Sequence, residues 1–151
     1  MTAVIDRPRV NVGGRSLLQT AATLVGATFL LVGILGFIPG ITTHYGDMSF
    51  AGHGSGAKLL GIFQVSILHN IVHLLFGIVG LALAKTADGA RTFLIGGGVV
   101  YLVLWVLGIV GGGDWIPVNT ADNWLHFVLG IAMVALGFVT GREVRRTTAP
   151  A

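Results

Sequence analysis

His69–Ala84 reads HNIVHLLFGIVGLALA, and Asp122–Gly137 reads DNWLHFVLGIAMVALG. When the two stretches are aligned, both have an Asn, a His three residues later, and a Gly four residues after that. The matching pairs are Asn70 with Asn123, His73 with His126, and Gly77 with Gly130. Apolar matches are common in a hydrophobic chain, whereas polar residues seldom coincide at fixed spacing. The pattern therefore predicts a duplicated two-helix hairpin.

The composition excludes a soluble globular protein. Of 151 residues, 54% are hydrophobic and only 10% are charged, and the mean hydropathy is +0.86. Four stretches without Asp, Glu, Lys or Arg reach the roughly 20 residues that a helix needs to cross a bilayer. We expect an all-α fold, a four-transmembrane-helix bundle in one membrane domain over residues 16–141. The predicted spans are about 17–38, 62–84, 92–112 and 123–141.

The basic residues predict the orientation of these helices. Eight of the nine lie before the first span, between the second and third, or after the fourth, and Lys58 is the exception. By the positive-inside rule, the tails 1–15 and 142–151 are then cytoplasmic, and the protein is a multi-pass component of the cell inner (plasma) membrane. Because the charges are spread over loop ends, the predicted partner is the lipid bilayer rather than nucleic acid.

Small residues recur on one face of the second and fourth predicted helices. Gly77 and Gly80 follow His73 at helical spacing, and Gly130 and Gly137 follow His126. Small residues on a membrane helix mark the surface that another helix approaches closely. We therefore expect these glycines to pack helices together and the histidines to point at protein rather than lipid.

Polar residues form a candidate pocket in the outer half of the bundle. At about 1.5 Å per residue, His73 and His126 lie roughly 18 and 24 Å above the inner charges. The candidate pocket residues are His69, Asn70, His73, Trp105, Asp122, Asn123 and His126. Two interpretations remain open: hydrogen bonds that bridge helices, to partners such as Tyr101 or Gln64, or a functional site.

Asp122 also has two candidate roles. It lies one turn before His126, as a carboxylate that orients a histidine would. It also lies in the first turn of a helix for which Asn119 is the predicted cap. Either role places Asp122 at the outer end of the fourth helix.

Cofactor and metal sites are weaker hypotheses. The chain has no cysteine, which excludes thiolate ligands and covalent c-type haem attachment. His44, Asp47 and His53 in the long first outer loop could hold a divalent metal, and His73 with His126 could ligate haem. Phosphate-loop, nucleophile-elbow and zinc-protease motifs are absent from the sequence. We expect no cofactor and no enzymatic activity.

The chain resembles a known family over roughly Leu24–Gly141. The stretch that begins GFIPGITTHYGDMSF, together with the HN-x-x-H and DN-x-x-H segments, is similar to small actinobacterial integral membrane proteins grouped as domain of unknown function 4383. The resemblance implies four membrane helices and no established activity.

The expected function is that of a non-enzymatic structural or partner component with a histidine-lined pocket. Its partners would be other membrane proteins or a second copy of the chain. The alternatives are a haem- or metal-binding redox protein and a small carrier of protons or a solute.

Overall fold

Four α-helices dominate the computed structural model, which describes residues 15–111 and 118–148, with side chains as far as residue 139. The helices are α1 (Leu17–Leu35), α2 (Ile67–Leu83), α3 (Ala87–Ile109) and α4 (Thr120–Thr148). The prediction of a mainly helical protein is confirmed. The predicted N-terminal tail lies outside the described residues except for Arg15, and the C-terminal tail is described only as the end of α4.

Three of the described helices are long and apolar enough to cross a membrane. They are α1, α3 and the Thr120–Val139 part of α4, whereas the apolar helix α2 is shorter, with 17 residues. Many large apolar side chains on the helix surfaces are exposed, Val103 and Val128 among them. A surface of this kind is stable in lipid rather than in water, and these features are those of a membrane-embedded protein.

The helix ends differ from the predicted spans, for local reasons. Ser16 begins α1 with a capping box, in which its hydroxyl accepts from the Gln19 N–H and the Gln19 side chain accepts from the Ser16 N–H. The helix α2 begins at Ile67 rather than at 62, because the preceding residues form a strand and Ser66 caps the helix. The helix α3 begins at Ala87, inside the predicted connection, because Thr86 caps it.

The long loop between α1 and α2 is folded. It contains a three-stranded antiparallel sheet in the order β1 (Thr42–Thr43), β2 (Lys58–Leu59) and β3 (Phe63–Gln64). Leu59 and Val65 pack on Val32 and Leu35 at the end of α1. The sheet therefore covers one end of the bundle, which we call the sheet end.

The helices pack chiefly as two pairs, α1 with α2 and α3 with α4. In each pair a glycine lets the backbones approach: Gly77 lies against Leu30, and Gly130 against Leu102. Gly80 lies against Phe93 and Gly137 against Ile95. The structure thus places all four predicted packing glycines at helix contacts.

The opposite end of the bundle is closed by a short connection. Only residues 84–86 separate α2 from α3. The Gln19 side-chain amide of α1 donates to the carbonyl oxygens of Ala84 and Lys85, at 3.3 and 2.8 Å. Three helices are therefore joined at this end, which we call the turn end.

Candidate functional site

A cavity of about 380 Å³ lies at the sheet end of the bundle. Its walls come from α1, the sheet region, the first turns of α2, the middle of α3 and the start of α4. It is lined by Leu24, Val25, Thr28, Phe29, Val32, Leu35, Leu59, Leu60, Phe63, Val65, His69, His73, Tyr101, Asp122, Leu125, His126 and Leu129. The walls are mainly aliphatic, and most of the polar groups are imidazoles, a phenol and one carboxylate. Cavities of this size and character take small, mainly apolar molecules.

Both ring nitrogens of His73 have partners. Nδ1 lies 3.1 Å from the carbonyl oxygen of His69, and because a carbonyl only accepts, Nδ1 must carry the proton. In the neutral ring Nε2 is then an acceptor, and the Tyr101 hydroxyl donates to it at 3.4 Å. The His69 ring stacks on the His73 ring with centroids 4.3 Å apart. His73 is therefore held in one orientation from both sides.

Tyr101 lies between the two histidines of the repeated pattern. Its hydroxyl contacts His73, and its ring meets the ring of His126 edge-on, with centroids 5.1 Å apart. On the α1 side Phe29 contacts both Tyr101 and His73, at centroid distances of 5.1 and 5.5 Å. These four rings thus form one connected aromatic wall of the cavity.

His126 has no comparable partner. It is only 5% exposed, and among the described residues its Nδ1 makes no hydrogen bond. A buried polar atom without a partner loses its hydration without compensation. The imidazole of His126 therefore has hydrogen-bonding capacity that the described residues do not use.

Asp122 caps α4 and also fastens the sheet to it. Its Oδ2 accepts from the Asn119 N–H at 2.9 Å, while the Asn119 side chain accepts from the Asp122 N–H at 3.0 Å. The same Oδ2 accepts from the backbone N–H of Gln64 in β3 at 3.0 Å, and the Asn119 amide donates to the Ile62 carbonyl at 2.7 Å. Asn119 therefore caps α4 as the sequence predicts, with Asp122 completing the cap.

Three of the candidate pocket residues lie elsewhere. Asn70 is buried against Gly36, and Asn123 lies against Gly108. The Oδ1 atoms of both asparagines are buried without a hydrogen-bond partner among the described residues. Trp105 packs on Phe127, with ring centroids 4.6 Å apart. The asparagines and Trp105 thus belong to helix contacts rather than to the cavity lining.

The loop residues proposed for a metal do not form a cluster. His44, Asp47 and His53 are all exposed. Over residues 15–111 and 118–148, no three His, Cys, Asp or Glu side chains come close enough to hold a metal ion. His44 has a φ of 50°. This left-handed backbone conformation belongs to the turn that it makes just before Tyr45–Asp47.

The cavity opens sideways. Its lining includes Leu24 of α1, Leu60 of the β2–β3 turn and Leu125 of α4, which are exposed by 64%, 61% and 44%. Leu24 and Leu125 lie on the flanks of α1 and α4, where lipid surrounds a membrane protein, and Leu60 lies on the turn between β2 and β3. The mouth therefore lies at the seam between α1 and α4, beneath the β2–β3 turn.

Several cavity residues were not among the sequence candidates. Thr28 and Phe29 of α1 line the cavity, yet α1 carries no ionisable residue that would draw attention to it. The sequence pattern presents Tyr101 as a hydrogen-bond partner for the histidines, and its central place depends on the way the helix pairs meet. The signal that could have found Phe29 is its position beside Gly26 and Gly33, on the face that meets α2.

Comparison with known proteins gives a family and no activity. No curated protein matches the chain, and no solved structure does. The family model described as "Domain of unknown function (DUF4383)" matches residues 19–139, which include all four helix cores and the whole cavity. The chain therefore belongs to the domain of unknown function 4383 family.

Proposed function

We propose that the protein is a four-span component of the cell membrane that binds a small lipophilic molecule in the cavity and has no enzymatic activity of its own. One observation carries the function: an aliphatic cavity with a lateral mouth has imidazole and phenol groups along one wall. The architecture has separate support, in three parts.

The first part is that α2 serves as the fourth span despite its length. It lies antiparallel along α1: Asn70 meets Gly36 near one end, and Leu81 meets Gly26 further along. With about 1.5 Å of rise per residue, 17 residues cover roughly 25 Å, the lower limit for a membrane helix. Since α2 runs beside α1 over this length, both cover the same depth.

The second part is the duplication. Phe29 contacts His73, and Tyr101, 72 positions after Phe29, contacts His126, 53 positions after His73. The same two offsets relate other contacts: Gly26 to Gly98, Leu30 to Leu102, and Gly36 to Gly108 on α1 and α3, and Asn70 to Asn123 and Gly77 to Gly130 on α2 and α4. A constant offset across equivalent contacts supports descent from one hairpin.

The third part is the orientation. Lys85 and Arg91 flank the turn end, and Arg15 precedes α1 at that same end. The positive-inside rule therefore favours a cytoplasmic turn end with both tails beside it. The cavity then opens into the outer half of the bilayer.

The geometry argues against haem as the occupant. A ligating histidine needs a free ring nitrogen, and both nitrogens of His73 already have partners. Tyr101 also lies between His73 and His126, where the macrocycle would have to fit. No contact among the described residues favours the carrier alternative.

Photolabelling tests the proposed function. The full-length protein in lipid nanodiscs would be illuminated with tetradecanol carrying a diazirine in mid-chain, and the labelled residues would be mapped by mass spectrometry. We expect labels on the rim, at Leu24, Leu60 and Leu125. Thr28→Trp, which fills the cavity, should abolish them, whereas Ala27→Trp on the same helix, outside the lining, should leave them.

The contradicting result is equally specific. If the labels are scattered over all lipid-facing helix surfaces and Thr28→Trp has no more effect than Ala27→Trp, the cavity does not bind lipophilic molecules.

A further inference from the structure

The polar groups around the cavity differ in what they still offer to a ligand. His73 and Tyr101 form a hydrogen bond with each other, so they contribute to the cavity wall and not to the binding of a polar group. Asp122 and His126 differ from them. Both line the cavity, and the hydrogen bonds of the Asp122 carboxylate are made by Oδ2, which leaves Oδ1 available. The ring of His126 makes no hydrogen bond within the described residues, and because its Nδ1 is enclosed by protein, Nε2 is the ring nitrogen that a ligand can reach.

Asp122 and His126 act on the same part of the cavity. They are four residues apart on α4 and therefore share one helix face. Both are buried, with Asp122 fastened in place by the N–H groups of Asn119 and Gln64. A ligand group that enters from the α1–α4 seam would meet a carboxylate oxygen and an imidazole one turn apart.

The chemistry of this pair selects the ligand. A carboxylate oxygen accepts hydrogen bonds only, whereas a neutral imidazole has one N–H donor and one acceptor nitrogen. The matching group must both donate and accept. A phosphate, sulfonate or carboxylate head would bring a second negative charge beside Asp122 in surroundings of low polarity. A permanently cationic head without N–H groups would leave the imidazole without a partner.

We propose that the cavity recognises an uncharged lipid by a hydroxyl group that donates to Asp122 and accepts from the ring N–H of His126. This inference rests on the proposed function, and it adds the ligand class. The hydroxyl can come from two kinds of membrane lipid, a reduced quinone or a neutral glyceride such as diacylglycerol. In both, the apolar part lies along Leu24 and Leu125 and leaves through the lateral mouth.

The test compares three probes that differ only in the head group. Each is a fourteen-carbon chain with the same mid-chain diazirine, ending in a hydroxyl, a sulfonate or a trimethylammonium group. The charged heads keep their charge at any working pH. With the full-length protein in nanodiscs, we expect the hydroxyl probe to label the cavity rim about tenfold more than either charged probe, since a hydrogen bond to a charged group changes binding by about this factor.

Variants assign the preference to the two residues. Asp122→Asn keeps an oxygen that can accept from Asn119 and Gln64, so the fold should persist while the charge is lost. It should reduce discrimination against the sulfonate probe. His126→Phe keeps a ring of similar size and should lower labelling by the hydroxyl probe about tenfold. His53→Phe, on the exposed loop outside the lining, is the matched control and should change nothing.

Competition then identifies the source of the hydroxyl. Unlabelled ubiquinol-1 and unlabelled dioleoylglycerol would each be added, and displacement of the hydroxyl probe by one of them names the lipid class. Equal rim labelling by all three probes, or hydroxyl labelling unchanged in His126→Phe, would overturn the hydroxyl assignment while leaving the lipophilic cavity intact. Failure of both competitors to displace the probe would overturn a membrane lipid as its source. Absence of rim labelling by any probe would instead refute the proposed function.

Discussion

The backbone N–H of Gln64 donates to Oδ2 of Asp122 across 58 positions of sequence, at 3.0 Å. The same oxygen also accepts from the Asn119 N–H, so a single carboxylate joins β3 to the first turn of α4. The sheet that covers the cavity is therefore attached to α4, which forms one side of the cavity mouth.

The first prediction follows from this attachment. Asp122→Ala removes both hydrogen bonds of the carboxylate and half of the cap, so it should lower the free energy of unfolding by about 2–4 kcal/mol. Asp122→Asn should cost less than half as much, because its amide oxygen can still accept. Thermal unfolding in one detergent measures both variants. Equal losses for the alanine and asparagine variants would show that the charge, rather than the hydrogen bonds, holds the sheet.

The second prediction concerns the packing glycines. A Cβ at Gly77 would lie 2.5 Å from the Leu30 backbone nitrogen, and backbone cannot move aside as a flexible side chain can. Gly77→Ala should therefore destabilise the protein by about 1–3 kcal/mol.

Gly96 is the matched control for this change. It also lies within a helix, but a Cβ there meets nothing within 4 Å. Gly96→Ala should be neutral or raise stability by up to about 1 kcal/mol, through helix propensity. Similar losses at both positions would mean that α1 and α2 do not approach closely at Gly77.

The third prediction concerns the pair Tyr101 and His73. A double-mutant cycle with Tyr101→Phe and His73→Phe should give a coupling free energy of about 0.5–1.5 kcal/mol, the usual net contribution of a buried hydrogen bond. Each single variant leaves a polar atom without its partner, whereas the double variant leaves neither. Additive losses within about 0.3 kcal/mol would show that the two groups do not interact.

The fourth prediction tests the orientation. Reporter fusions after Arg146 and within residues 86–90 should report the cytoplasm, whereas a fusion at Gly54 in the sheet region should report the outside. An outside signal from the fusion after Arg146 would reverse the proposed topology, and the cavity would then open into the inner half of the bilayer.

The helices could be predicted from sequence because their signals are local. Charge-free stretches locate them, and Asn119 marks the start of α4 by a side chain that accepts from its own first turn. The sheet could not be predicted in this way. Each of its strands has two residues, too few for an alternating pattern, and β1 pairs with β2 across a loop that contains the turn after His44.

The cavity was only partly predictable, for a physical reason. A repeated His draws attention to His73 and His126, and both do line the cavity. The repeated Asn gives equal weight to Asn70 and Asn123, yet these face glycines in the neighbouring helix. The side to which a residue on a helix points depends on which helix lies beside it, and the sequence pattern alone does not specify that neighbour.

The short connection over residues 84–86 fixes the helices to one another at the turn end and leaves them freer to move at the sheet end. Because Gln19 joins α1 to the connection between α2 and α3, three helices are anchored at the turn end. The mouth of the cavity lies at the sheet end, at the seam between α1 and α4. Thermal motions of the helices should therefore be larger at the sheet end, where the cavity opens, than at the turn end. A bound molecule could therefore enter and leave at the sheet end without separation of the helix pairs.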